Sequence, residues 1–169
     1  MPTRTQNVMT GAAVTATLVL TGLTSIAHAQ DAVQWRVEDG GNGHWYEGIN
    51  HGNVLGWHEA RELAERVGGH LATPSTTVES SWIKNNIAGS SALWTADVWG
   101  TSFIIGPWIG GLRPAGGSWG WVDDSEWSFE NWHPGNPDSD PNNESGILFW
   151  ERNGSFAWQD MDFTLPSTH

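Results

Sequence analysis

Residues 131 to 144 read NWHPGNPDSDPNNE, a run in which asparagines, aspartates and a glutamate crowd around prolines. Side chains of this kind offer many oxygen atoms at short spacing, which is donor chemistry for a cation. The same residue types are also the commonest loop formers, so an ordinary turn-rich surface loop is the competing reading. Charge favours the cation. The chain has 19 acids against 7 lysines and arginines, a formal charge of −12. Ten of the acids fall between Asp123 and Asp162, where Arg152 is the only base. A region so charged repels phosphate backbones and anionic membranes and attracts cations, which excludes nucleic acid as a natural partner.

Other constellations carry less. His44, His51 and His58 recur every seven residues, but HEARE at 58 to 62 lacks the second histidine of a metalloprotease helix, and the three histidines fall on different elements. Asp123, Asp124, Glu126 and Glu130 supply the two carboxylates that glycoside hydrolysis needs, yet the surrounding β-rich half is too small to shape a deep cleft. No serine sits in a recognisable nucleophile turn. The expectation is a binding protein with no catalytic residues.

The elements that must position these groups are legible in outline. Trp57, Ala60, Leu63, Ala64 and Val67 recur at helical spacing with charged residues between them, and Gly68-Gly69 ends the run. Thr76 or Thr77 followed by Glu79 resembles the start of a second helix through ESSWIKNNIA. Val33 to Ile49 predicts a hairpin around a Gly/Asn turn, and HLATPST at 70 to 76 a short strand and turn. WIGGLR (108–113), SWGWVDD (118–124), GILFW (146–150) and SFAWQDM (155–161) read as strands separated by long loops. Two helices followed by a loop-rich β half predict an α+β domain.

Residues 1 to 29 read as a secretory signal: Arg4, an apolar stretch from Val8 to Ala27, and the small-residue triplet AHA at 27 to 29. Residues 30 to 169 then form one exported domain, with no membrane insertion after cleavage. There is no cysteine, so thirteen tryptophans and five phenylalanines supply the stabilising apolar area in place of disulfides.

GHWYEGI, GWHEARELAERVGGHLATP, WIGGLR, WGWVDDSEWSFENWHPGNPD and WQDMD, taken in that order, resemble the C-type lectin-like domain in its cysteine-free, exported bacterial form. The resemblance covers roughly residues 35 to 162. It implies two helices, small antiparallel sheets and a long-loop region that often binds calcium and, through it, sugars. Trp108-Ile109-Gly110-Gly111 stands on the family's Trp-Ile-Gly-Leu signature, with glycine in place of leucine. Asn136-Pro137-Asp138 stands on its Glu-Pro-Asn or Gln-Pro-Asp triplet, whose peptide bond before proline is cis in family members. Glu144 follows at the family spacing, and Gln159 and Asp160 stand on its Asn-Asp pair.

The resemblance therefore implies a calcium site built from Asn136, Asp138, Glu144, Gln159 and Asp160, mixed carboxylate and amide donors that suit this ion. A second register, with Asp140 and Asn142 as ligands, stays open. Asn136, Asp138, Glu144 and Gln159 would also meet the sugar, with Trp150 as an aromatic face; Trp158 is expected in the core. Amide before acid around the proline tilts the ligand toward galactose type. The function implied is an exported, calcium-dependent lectin for glycans or polysaccharides, clustered on a surface or as a homo-oligomer for avidity. The alternative is a calcium-independent protein or matrix interaction module on the same fold. Family members continue into a final strand pairing with the first, for which FTLPSTH (163–169) is a poor substitute.

Overall fold

Trp57, Ala60, Leu63 and Ala64 fall on one side of helix α1 (Trp57–Arg66) and are buried, as their spacing requires. Its start is fixed by the Glu59 carboxylate, which accepts the Gly56 N–H at 3.0 Å, and its outer face carries the pairs Arg61–Glu65 and Glu62–Arg66 one turn apart. Helix α2 (Thr77–Asn86) begins where the Thr76 hydroxyl accepts the Glu79 N–H at 3.1 Å. These descriptions come from a computed structural model that describes residues 6–11 (backbone), 32–96, 104–152 and 155–162. The cleavage triplet at 27–29 and the segment FTLPSTH lie outside the described residues.

The strands are β1 (Gln6–Gly11), β2 (Val33–Gln34), β3 (Trp45–Asn50), β4 (Gly69–Leu71), β5 (Thr95–Ala96), β6 (Ile104–Arg113), β7 (Gly120–Trp121), β8 (Ser145–Arg152) and β9 (Ser155–Asp162). They form one sheet in the order β2-β3-β1-β6-β8-β9, with β4 joined to β1, and β5 and β7 joined to β6. The β2–β3 hairpin pairs Val33 with Tyr46, and the β8–β9 hairpin is in register from Ser145–Asp162 to Arg152–Ser155. The α+β fold of two helices, antiparallel strands and long loops is the one the sequence predicts. Beyond that expectation, β1 enters the sheet parallel to β3 and β4.

The period-2 alternation of β8 divides the core. Ile147 and Phe149 join Tyr46, Ile83 and Trp158 on one face of the sheet, while Leu148 joins Trp57, Leu71 and Trp108 on the other. The helices therefore cover opposite faces, α2 over the first and α1 over the second. Two indoles stitch α1 to the sheet: Trp57 donates to the Ile109 carbonyl at 2.8 Å and Trp108 to the Leu55 carbonyl at 2.7 Å.

The glycine at 111, where the resemblance calls for leucine, has a steric cause. A Cβ there would lie 2.2 Å from Ile147 Cδ1, so the isoleucine occupies the space that a larger residue at 111 would fill. Gly111→Leu is expected to lower stability by about 1–3 kcal/mol through overpacking, read as a drop in the urea midpoint at constant slope. Gly111→Leu combined with Ile147→Ala is expected to recover part of the loss.

Candidate functional site

Aromatic packing sets the floor of the site. Trp158, on β9, is fully buried, as the sequence reading expects. Phe129, Trp132 and Trp121 meet its ring edge-on at centroid distances of 5.3, 5.7 and 5.5 Å. The backbone follows these rings: Trp158 N–H donates to the Asn131 carbonyl at 2.7 Å, and His133 N–H donates to the Trp158 carbonyl at 2.9 Å. This anchoring fixes where the next residues fall. Asn136 N–H donates to the His133 carbonyl, the loop turns through Gly135 at φ 101°, and the Asn136–Pro137 peptide is cis, as the resemblance implies.

The turn lands on Asp160, two residues beyond Trp158 and only 3 % exposed. Asp160 Oδ1 accepts the Asp138 N–H at 3.0 Å and the Asn136 side-chain amide at 3.2 Å; Oδ2 accepts the Ser139 N–H at 2.9 Å. The Asn136 amide also donates to Asp138 Oδ1 at 3.3 Å, and Gln159 Nε2 approaches the same oxygen at 3.5 Å. Two carboxylates thus face two side-chain amides, and the Asn136 NH2 bridges both carboxylates.

Four of the five expected ligands, Asn136, Asp138, Gln159 and Asp160, come together. Glu144 does not join them here: its Oε2 lies 3.1 Å from His58 Nε2, an exposed pair that links the loop to α1. The alternative register is not assembled, because Asp140 Oδ1 accepts both the backbone and side-chain N–H of Asn142 at 2.9 Å and closes a local turn. Among the described residues, no three of the histidines, aspartates and glutamates converge. His44, His51 and His58 accordingly form no such group.

Trp150 is half-buried on β8, its ring 4.6 Å from that of His133 at the root of the loop. Two of the acids posed as a carboxylate pair, Asp123 and Glu130, accept hydrogen bonds from their neighbours. Asp123 accepts from Thr73 at 2.8 Å and from the Ser125 hydroxyl at 2.6 Å, and Glu130 accepts the Trp127 indole at 2.8 Å. Burial pushes the Asp123 carboxyl up, but the hydrogen bonds from Ser125 and Thr73, with His70 nearby, outweigh it and hold the group below the usual carboxylate range.

Arg113 is the residue that sequence reasoning misses. Buried at the end of β6, it donates through one guanidinium nitrogen to the carbonyls of Ser139 and Asp140 at 3.1 and 3.0 Å, and to Ser145 Oγ at 3.3 Å. It clamps the far end of the loop while its guanidinium lies 5.1 Å from the centroid of the Trp119 ring. A signal was present: it is the last base before a long acidic stretch.

No family model matches the chain. Among curated proteins, a perlucin-like protein of Mytilus galloprovincialis is 32% identical over 108 residues, covering 62% of this chain and 61% of the relative. The C-type mannose receptor 2 of Homo sapiens is 29% identical over 119 residues, covering 70% of this chain and 7% of the receptor. The chain thus spans about three fifths of the first relative and a small part of the second. Among solved structures, the C-type lectin domain of murine dendritic cell inhibitory receptor 2, determined in complex with N-glycan, aligns with a TM-score of 0.48 at 21% identity, over 63% of this chain and 72% of that one. In motif order, helix–sheet arrangement and curated likenesses together, the described chain is similar to the C-type lectin-like domain.

Proposed function

We propose that this protein is an exported lectin that binds glycans through a calcium ion held by Asn136, Asp138, Gln159 and Asp160. The observation that carries the reading is the Asn136 amide, whose NH2 bridges the carboxylates of Asp138 and Asp160. The electropositive edge of an amide sits where a cation would be attracted. Turning the amides of Asn136 and Gln159 by half a rotation presents their oxygens instead, giving two carboxylates and two amide oxygens toward one point. That donor set fits calcium, which takes six to eight oxygens and tolerates irregular geometry. Glu144 is the remaining donor, available once it leaves His58.

The bound ion would supply a hard centre for a pair of sugar hydroxyls. The chain's own part is orientation: a carboxylate accepts from a hydroxyl and an amide donates to one, so the order of the two around Pro137 selects which hydroxyl pair fits. Amide at 136 and acid at 138 select galactose-type ligands, with Trp150, backed by His133, as the apolar face. The relatives named above support carbohydrate as the ligand class. Binding without catalysis, export through residues 1 to 29, and clustering for avidity complete the reading; among the described residues no helix is long and apolar enough to cross a membrane.

The test is thermal. With a site of Kd about 10⁻⁴ M, calcium at about 10 mM stabilises the fold by roughly 2.7 kcal/mol. Relative to EDTA the expected rise in Tm is about 5–12 °C, and retention on a galactose matrix is expected to be lost in EDTA. An unchanged Tm would overturn the calcium reading. It would favour a calcium-independent interaction module, consistent with an Asp160 already satisfied by three N–H donors.

A further inference from the structure

Arg113 carries a buried charge that has no counter-ion. It is 7 % exposed, and among the described residues no carboxylate lies within ion-pair distance of its guanidinium. Its Nε is buried with no hydrogen-bond partner among them, so its polar contacts run through Nη2 to the three oxygens of Ser139, Asp140 and Ser145. A charge held by neutral oxygens alone gives up hydration that those contacts replace only in part. An apolar side chain would fill the place at lower cost. The charge therefore has work other than packing.

Two of the three oxygens belong to the segment that presents the candidate site. The Ser139 carbonyl accepts from Arg113 at 3.1 Å while the Ser139 N–H donates to Asp160 Oδ2 at 2.9 Å, and Asp160 Oδ1 accepts the Asp138 N–H at 3.0 Å. Ser139 is thus held by a cation at its carbonyl and by an anion at its amide. Hydrogen bonds chained in this way polarise and strengthen one another. The hold continues along the chain: the Asp140 carbonyl also accepts from Arg113, and the Pro141 carbonyl accepts the Gly116 N–H at 2.8 Å, from the turn that directly follows Arg113. Asp138 is exposed, so the direction of its carboxylate depends on the backbone that carries it.

We infer that Arg113 is a positioning residue for the candidate site. It stands outside the donor set of Asn136, Asp138, Gln159 and Asp160; by holding the Ser139 and Asp140 carbonyls it keeps the Asp138 and Ser139 amides on Asp160, and Asp138 Oδ1 beside the Asn136 and Gln159 amides. The inference rests on the calcium reading above and assigns the affinity of that site to a residue one layer beneath it. Loss of a group that orients metal ligands lowers affinity by about 10- to 100-fold.

The experiment compares the parent chain with Arg113→Met, which keeps an unbranched apolar stem and removes the donors, and with Arg113→Lys, whose ammonium offers three donors from one nitrogen. Calcium affinity is read by isothermal titration and the loop by amide hydrogen exchange in EDTA. In Arg113→Met the affinity is expected to fall by about 10- to 100-fold. Exchange at Asp138 and Ser139 is expected to rise at least about tenfold more than exchange at Ile147 and Phe149, which lie in the core of β8. Arg113→Lys is expected to recover part of both losses. Calcium bound equally well by the parent and by Arg113→Met overturns the inference and leaves the calcium reading standing. Equal acceleration at all four amides also overturns it, because that marks a role in global stability alone. A parent chain that binds no calcium overturns the calcium reading, and the inference falls with it.

Discussion

A chain carrying Asp160→Ala is expected to gain no stability from calcium and to lose retention on a galactose matrix, a fall of at least about a hundredfold in affinity for both. Asp160 is the point on which the site converges: its two oxygens gather the N–H groups of Asp138 and Ser139 and the Asn136 amide. Alanine removes an anionic ligand and also releases the loop that presents the others. Three donors then need new partners. Because the loop lies at the surface, water meets most of that need, and the cost to the calcium-free fold is expected to be about 1–3 kcal/mol. Isothermal titration with calcium and a urea melt in EDTA read the two effects apart. Asp140→Ala is the control, since Asp140 closes only its own turn; calcium affinity in that variant is expected to stay within about threefold of the parent. Equal losses in both variants would move the site to the second register.

Glu79→Ala is expected to bring the largest loss of stability, about 3–5 kcal/mol, and a fall in Tm on the order of 10–20 °C. The carboxylate is 4 % exposed and every bond it makes reaches another segment or the helix start. It accepts from the Tyr46 hydroxyl at 2.6 Å, the Asn42 amide at 3.0 Å, and the Ser75 N–H and hydroxyl, both at 2.9 Å. Truncation removes the acceptor to which the hydroxyl of the fully buried Tyr46 donates and cuts the tie between α2 and the β2–β3 hairpin. Glu79→Gln tests the account. The amide oxygen keeps two of the acceptor roles but its NH2 faces donors, so an intermediate loss is expected. A Glu79→Ala melt within about 1 kcal/mol of the parent would show the network to be replaceable by water.

How much of this was visible in the sequence depends on the range over which each signal acts. Helix α1 was legible because Trp57, Ala60, Leu63 and Ala64 repeat at 3.6-residue spacing, a local pattern that burial reinforces. Strands β8 and β9 were legible as short apolar runs, GILFW and SFAWQDM, set between turn residues, and Trp158 as a core ring follows from its place in such a run. The convergence of Asn136, Asp138, Gln159 and Asp160 was readable only through the motif resemblance, since nothing local says that residue 136 meets residue 160. The turn that joins them is set by Trp132 against Trp158, a contact across the chain. Glu144 was placed by spacing alone, and spacing does not see His58, which is 86 residues away in sequence. Strand β1 was read for its leader composition; parallel pairing to β3 is a non-local property with no signature in six residues. Arg113 looked like the polar end of a strand, and its work as a clamp depends on carbonyls of Ser139 and Asp140 brought from another loop.

The long loop is fixed on the Trp158 backbone at one end, on the Arg113 guanidinium at the other and on the Asp160 carboxylate between them, and Pro134 to Asp138 place no buried side chain in the core. Substitution at the exposed Pro134 or Asp138 is thus expected to leave the hydrophobic core undisturbed, whereas Gly135, at φ 101°, holds a backbone conformation that side chains rarely adopt.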